Sequence, residues 1–311
     1  MKVTRGKRAY KFSDVLMVPM NGNVTSRDTP SLYTSIKGID FKLHFKLPFI
    51  ASPMKGIVGT RLIKEMDNLG GIGILHKFWN EERHFIEAVE RLSETRYGIA
   101  IGIDLKHLEY CQDAAMIVID VANGYTNKYG RAVETVKNRY PSKIIVAGNV
   151  VTAEGAVELK RCGADLIRTG IGNGFLCRTR DVTGVGYPQL SAVYECAKTG
   201  IGIVADGGMP TSGDMAKALA AGALFCMLGS PLAAAYESTN NGTIYGMGSS
   251  RLHIEMNKKP KSIEGIEIES DKTNTLHNII NQYAYGIKSA MTYLNAATLT
   301  ELRNNVTWVE I

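Results

Sequence analysis

No apolar run in this 311-residue chain reaches the roughly 18 residues a membrane span requires. The basic start, Met1-Lys2-Val3-Thr4-Arg5-Gly6-Lys7-Arg8, leads into no apolar signal core, so the expected location is cytoplasmic, with no membrane partner. The five cysteines are odd in number and scattered, with neither a Cys-x-x-Cys pair nor a Cys/His cluster. Disulfide frames and zinc sites are thereby excluded, and the pattern fits reduced thiols. The formal charge of +6 is modest, and no basic stripe with interleaved aromatics occurs, which argues against nucleic acid as partner. A solvated surface explains that charge, and a site for anionic small molecules is the sharper reading. No break in composition marks a second domain, and 45% hydrophobic with 21% charged residues excludes disorder.

What is present is an alternation of short apolar runs with helix-sized stretches. The runs are Pro48–Met54, Ile72–Leu75, Tyr97–Ile103, Met116–Val121, Lys143–Val150, Leu166–Ile171, Ile201–Gly208 and Leu224–Ser230. Amphipathic stretches lie between them at Glu81–Ser93, Asn127–Tyr140, Ala153–Cys162, Gln189–Thr199 and Gly213–Ala221. Eight buried strands, each followed by a helix or a helix-sized gap, predict an α/β fold, a closed (β/α)8 TIM barrel; a doubly wound open sheet is the rival. The expected division is an N-terminal extension over 1–47, a barrel over 48–236, a polar flap over 237–274 and a C-terminal helix and tail over 275–311. The flap is rich in Gly, Lys and Ser with little periodicity, which suggests a mobile functional loop.

A barrel of this kind works at the carboxyl ends of its strands, where the informative residues fall. His76-Lys77, Asp120-Val121-Ala122-Asn123-Gly124, Gly148-Asn149, Gly170 to Cys177, Ala205-Asp206-Gly207-Gly208 and Leu228-Gly229-Ser230 all lie there. Glycines after strands seven and eight either make tight turns or let backbone N–H groups approach a phosphate. Asp206 beside them is an acceptor suited to ribose hydroxyls or to helix capping, although Ser212 or Gly213 is better placed to cap. Cys162 and Cys196 sit in helical patterns and Cys226 in a strand, where thiols pack inertly; Cys111 has no distinctive neighbours. Cys177 instead lies in a Gly-rich loop next to Arg178 and Arg180, whose charge favours a thiolate. Thr179 is a candidate proton relay or an ordinary loop residue.

The runs Val146 to Thr152, Gly170-Ile171-Gly172 through Cys177, Gly184 to Gln189 and Ala205 to Gly208 together resemble the IMP dehydrogenase/GMP reductase family. Asp14 to Pro19 and Tyr245-Gly246-Met247 fit as well, so the similarity spans nearly the whole chain. The resemblance implies a homotetramer in which Cys177 attacks C2 of a purine nucleotide while Thr179 and Glu264 handle protons. It implies that Asp206 binds ribose and that Gly207, Gly208, Gly229 and Ser230 surround the phosphate. Gly246, Met247, Gly248 and Gly265 would lie at the base. Lys77, Asp120, Val121, Ala122, Ile171, Gly172 and Ser289 match contacts to the nicotinamide cofactor, NADPH in the reductase, and Ser26 and Arg27 match a contact to a neighbouring subunit's cofactor. Gly172, Gly174, Cys177 and Arg180 match a potassium site.

Two reactions divide the family, and the resemblance leans to GMP reductase. Between Met247 and Glu264 the chain has one Arg, Arg251, and no Tyr, so the Arg-Tyr pair with which the dehydrogenase activates water is missing. The reductase uses a Glu at the position of Glu264. The regulatory CBS-type tandem domain common in dehydrogenases is also missing. IMP dehydrogenase and a non-catalytic nucleotide-binding barrel are the alternatives. The chain departs from the family at Asn173, Phe175 and Arg178 in the cysteine loop, and at Lys55, where Asp is customary.

Overall fold

The computed structural model of the chain describes residues 8–36, 43–259 and 262–311. The strands are β1 Phe49–Ala51, β2 Ile72–Leu75, β3 Tyr97–Ile101, β4 Met116–Asp120, β5 Ile144–Val150, β6 Leu166–Thr169, β7 Gly202–Asp206 and β8 Ala223–Leu228. All are parallel and close into one barrel, with β8 pairing back onto β1. The helices are α1 Thr60–Asn68, α2 Glu82–Glu90, α3 Asn127–Arg139, α4 Ala153–Arg161, α5 Thr179–Thr183, α6 Gln189–Ala197 and α7 Ser212–Ala220. The predicted (β/α)8 barrel is therefore the fold.

Alternation along each strand sorts the side chains into two cores. One set, including Leu75, Ile99, Ile117 and Ile145, packs between strands and helices. The other, including Ile74, Met116, Val118, Ile144, Val146, Leu166, Val204 and Phe225, fills the barrel. The antiparallel pair Thr34–Ser35 and His44–Phe45 lies at the amino end, where Phe45 meets Phe225 edge-on at 5.1 Å. Every strand residue from Ile144 to Val150 is buried, which is why such strands read as unbroken apolar runs.

The helix-sized gap between β3 and β4 holds a 3-10 turn, Leu108–Cys111, because Leu105 and His107 take positive φ and interrupt helical geometry. Two details differ from the sequence reading. The cap of α7 is Thr211, not Ser212 or Gly213; its hydroxyl accepts from the Asp214 N–H, and the Asp214 carboxylate returns the contact. The flap segment carries order: β9 Gly242–Tyr245 pairs antiparallel with β10 Glu267–Ser270, and α8 Ser250–Glu255 lies between them. Each piece is too short to show a period of its own. The segment is followed by α9 Leu276–Tyr293 and α10 Leu299–Asn305. Trp308–Glu310 then pairs antiparallel with Val15–Met17. None of the helices among the described residues is long and apolar enough to cross a membrane.

Candidate active site

A cleft of about 650 Å³ opens at the carboxyl ends of the strands. It is lined by Cys177, Thr179 and Glu264; by Asp206, Gly207, Gly208, Gly229 and Ser230; by Gly246, Met247 and Gly248; and by Lys77, Asp120, Val121, Ala122, Ile171, Gly172 and Gly174. Residues spread over most of the sequence thus meet at one face, in a volume typical of small-molecule sites.

Three groups able to exchange a proton line up at Cys177. Its thiol points to the Thr179 hydroxyl at 3.2 Å, and that hydroxyl donates to Glu264 Oε2 at 2.8 Å. Sulfur, hydroxyl and carboxylate form one path for a proton. The flap holds the far end in place through backbone bonds: the Arg178 N–H donates to the Glu264 carbonyl at 2.7 Å, and the Ile266 N–H to the Leu176 carbonyl at 3.0 Å. Gly265 forms an antiparallel bridge with Cys177 and so belongs to this support. Glu264's own N–H donates to the Gly248 carbonyl at 3.0 Å.

The other cysteines are packing groups. Cys111, Cys162, Cys196 and Cys226 are buried, and burial pushes their thiols up, Cys111 to about 12 and Cys196 to about 11. Cys177 alone is partly exposed. The arginines beside it, expected to favour a thiolate through their charge, direct their guanidinium groups to other acceptors. Arg178 turns outward to Asp181 at 2.6 Å. The Arg180 guanidinium donates to Asn173 Oδ1 and, at 2.7 Å, to the Tyr187 carbonyl, so it braces the loop from behind. The nearest partner of the thiol is a hydroxyl, not a cation.

Below the cleft, the top layer of the barrel interior is ionic. Arg168, on β6, donates through Nε to Asp206 Oδ2 at 2.9 Å and through Nη1 to Asp120 Oδ1 at 2.5 Å. Lys77 adds a second cation 3.1 Å from Asp120 Oδ2. Burial works to raise the Asp120 carboxyl, but Arg168 and Lys77 outweigh it and hold it below the usual carboxylate range. Asn149 Nδ2 donates to Asp206 Oδ2 at 2.8 Å and to the Gly170 carbonyl at 2.6 Å. Asn149 Oδ1 is buried and has no partner in the protein. Gln189 ties the same corner, donating to the carbonyls of Thr169 and Asp206 at 2.8 and 3.0 Å.

Gly207 and Gly208 have φ of +81° and +78°, a backbone that L side chains resist, and this turn faces the cysteine loop at Asn173 and Gly174. Such successive glycines suit a concave cradle of N–H groups. The cleft's cationic side chains, Lys77 and Arg168, are committed to carboxylates, so an anion there would depend on backbone N–H groups and Ser230.

Some named residues lie elsewhere. Ser289 sits on α9 and Ser26 and Arg27 in a turn closed by the Thr29 N–H on the Ser26 carbonyl; none lines this cleft. Conversely, sequence reasoning missed Arg168, Gln189 and His253 as site residues. His253, on α8, lines the cleft with Nδ1 2.8 Å from the Ser249 carbonyl. A carbonyl only accepts, so Nδ1 is the nitrogen that donates in this contact. The one available signal was for Arg168: a lone charge in the apolar strand Leu166-Ile167-Arg168-Thr169, at the alternation position of the barrel interior.

Comparison with known proteins agrees with this geometry. The family described as the IMP dehydrogenase/GMP reductase domain matches residues 9–311. The GMP reductase of Vibrio atlanticus is 32% identical, over 96% of this chain and 94% of that protein. That of Buchnera aphidicola is 32% identical, over 96% and 93%. The inosine-5'-monophosphate dehydrogenase of Borreliella burgdorferi is 31% identical, over 98% and 94%. With its barrel, its cysteine loop and a match across nearly its full length, the chain belongs to the IMP dehydrogenase/GMP reductase family.

Proposed function

We propose that the protein is a GMP reductase, converting GMP to IMP and ammonia with NADPH through a covalent adduct on Cys177. The observation that carries this reading is the continuous path from the Cys177 thiol through Thr179 to Glu264. Attack of sulfur on C2 of the purine releases the thiol proton, and the path leads it by way of Thr179 and Glu264 to the departing amine. The C2–S bond forms, the C2–N bond breaks and ammonia leaves, so a poor leaving group departs protonated. NADPH, when bound, would supply a hydride for C2, and Cys177 would then leave as thiolate.

The residues present suit these ligands. Asp206 keeps Oδ1 for ribose, since Asn149 and Arg168 both bond to Oδ2. Gly207, Gly208, Gly229 and Ser230 would receive the phosphate, and Gly246 to Gly248 with Gly265 would meet the base. Lys77, Asp120, Val121, Ala122, Ile171 and Gly172 would hold the nicotinamide end of NADPH, where the orphaned Asn149 Oδ1 offers an acceptor for a carboxamide. Gly172, Gly174, Cys177 and Arg180 would hold potassium by backbone carbonyls. That donor set suits a large monovalent ion. Among the described residues, no group of three or more His, Cys, Asp or Glu is placed to hold a metal ion. A cytoplasmic homotetramer, in which Ser26 and Arg27 would serve a neighbouring subunit's cofactor and Ser289 would add a further cofactor contact, belongs to the same reading.

IMP dehydrogenase is the second reading, favoured by the Borreliella relative. Against it, Arg251 donates to Glu255 and lies over the Tyr245 ring, so it is not disposed to activate water. Incubation with GMP plus NADPH and with IMP plus NAD separates the two. Ammonia release with cofactor oxidation supports the reductase; XMP with NADH overturns it.

A further inference from the structure

Lys55 and Arg251, both unusual in the sequence, take no part in the proton path or the glycine cradle. They converge on Glu255, the last residue of α8. Lys55 Nζ lies 3.1 Å from Glu255 Oε2, and the Tyr245 hydroxyl donates to the same oxygen at 2.8 Å. Arg251 Nε donates to Oε1 at 3.1 Å, while its guanidinium sits 5.2 Å from the centroid of the Tyr245 ring. Asn80 Nδ2 donates to the Glu255 carbonyl at 2.6 Å. The rim after β1, the loop after β2 and the end of β9 therefore meet on one residue. Burial works to raise the Glu255 carboxyl, yet the bonds from Tyr245, Arg251 and Lys55 hold it below its ordinary range.

The other end of α8 touches the chemistry. The helix is capped by Ser249, whose hydroxyl accepts the Leu252 N–H at 3.3 Å. Immediately before it, the Gly248 carbonyl receives the N–H of Glu264. Six residues of helix do not hold themselves in water; their position must come from tertiary contacts. Glu255 supplies those contacts at the far end. A shift there passes along α8 to Gly248 and from it to Glu264, the carboxylate of the proton path.

We propose that Glu255 is a positioning residue: by clamping α8 to the barrel rim through Lys55, Tyr245 and Arg251, it keeps Glu264 in reach of Thr179. The kinetic consequence rests on the reductase reading; the clamp itself does not.

The test compares wild type with Glu255→Gln, which keeps one acceptor oxygen and loses the charge, and Glu255→Ala, which keeps neither oxygen. Three quantities are read: hydrogen–deuterium exchange across residues 249–257, the rate of Cys177 alkylation by iodoacetamide, and kcat and KM for GMP. The expected result for Glu255→Ala is exchange in α8 at least tenfold faster with the barrel strands unchanged, and an altered alkylation rate. It also includes a kcat lower by about tenfold with KM within threefold, and recovery of part of each effect in Glu255→Gln. A misplaced acid costs rate on this order, since small displacements near the chemistry are expensive. Wild-type exchange in α8 of the Ala variant overturns the clamp, and fast exchange with unchanged alkylation overturns its link to the proton path. Neither readout needs turnover, so both decide the proposal even if GMP proves not to be the substrate.

Discussion

Acidification should destabilise this protein through His76, in a window set by burial. His76 follows β2, is 5% exposed, and stacks on Trp79 at 4.7 Å; its Nδ1 accepts the Phe78 N–H at 3.2 Å. Burial first, then the cation of Lys55, lowers its pKa from 6.5 to about 3, with Glu255 and a backbone hydrogen bond offsetting part of the effect. The folded state therefore resists a proton that the unfolded chain accepts. The stability held by the neutral ring is fully present above about pH 6.5, falls as pH drops, and is gone once pH is below about 3. Each pH unit inside that window is worth about 1.4 kcal/mol, so going from pH 7 to pH 5 removes about 2 kcal/mol through this one residue. Urea unfolding at the two pH values measures it, with His76→Asn as control, because an amide oxygen can take the place of Nδ1 without titrating. The variant's own cost cancels, since only the change between pH values is compared. Equal losses in both proteins would refute the reasoning.

Thr179→Val should lower kcat by about 10²–10³-fold while leaving the Cys177 thiol open to iodoacetamide, and Cys177→Ala should abolish the reaction in the paired assays. Arg168→Met leaves Asp120 and Asp206 buried without their shared cation. It should cost about 3–5 kcal/mol in urea unfolding, with part of that recovered by adding Asp120→Asn. Titration of KCl against NaCl at fixed ionic strength should raise reductase turnover; an equal response to both ions would remove potassium from the cysteine loop.

The barrel was legible because its strands are buried on both faces and its helices on one, so apolar runs and periodic stretches alternate. The strand and helix bounds agree within a few residues, as for Asn127–Arg139. Cys177, Thr179, Asp206 and the paired glycines were legible by address, at the ends of strands. Contacts between distant segments were not. Nothing near Glu264 in sequence states that its carboxylate meets Thr179, because that bond depends on the β9–β10 hairpin and the bridge at Gly265. Arg178 and Arg180 make the same point: chain proximity fixes where a guanidinium is attached, not which acceptor it finds. Asp181, Asn173 and Tyr187 offered better ones. Arg168 shows the reverse case, in which alternation alone pointed a charge into the barrel and only the two carboxylates around it were hidden.

The barrel's filling changes character along its axis, from Phe45 and Phe225 at one end to Arg168 and its carboxylates at the other. The same ionic tier that stops the hydrocarbon filling also forms the floor of the cleft, so a change there disturbs foldedness and ligand together.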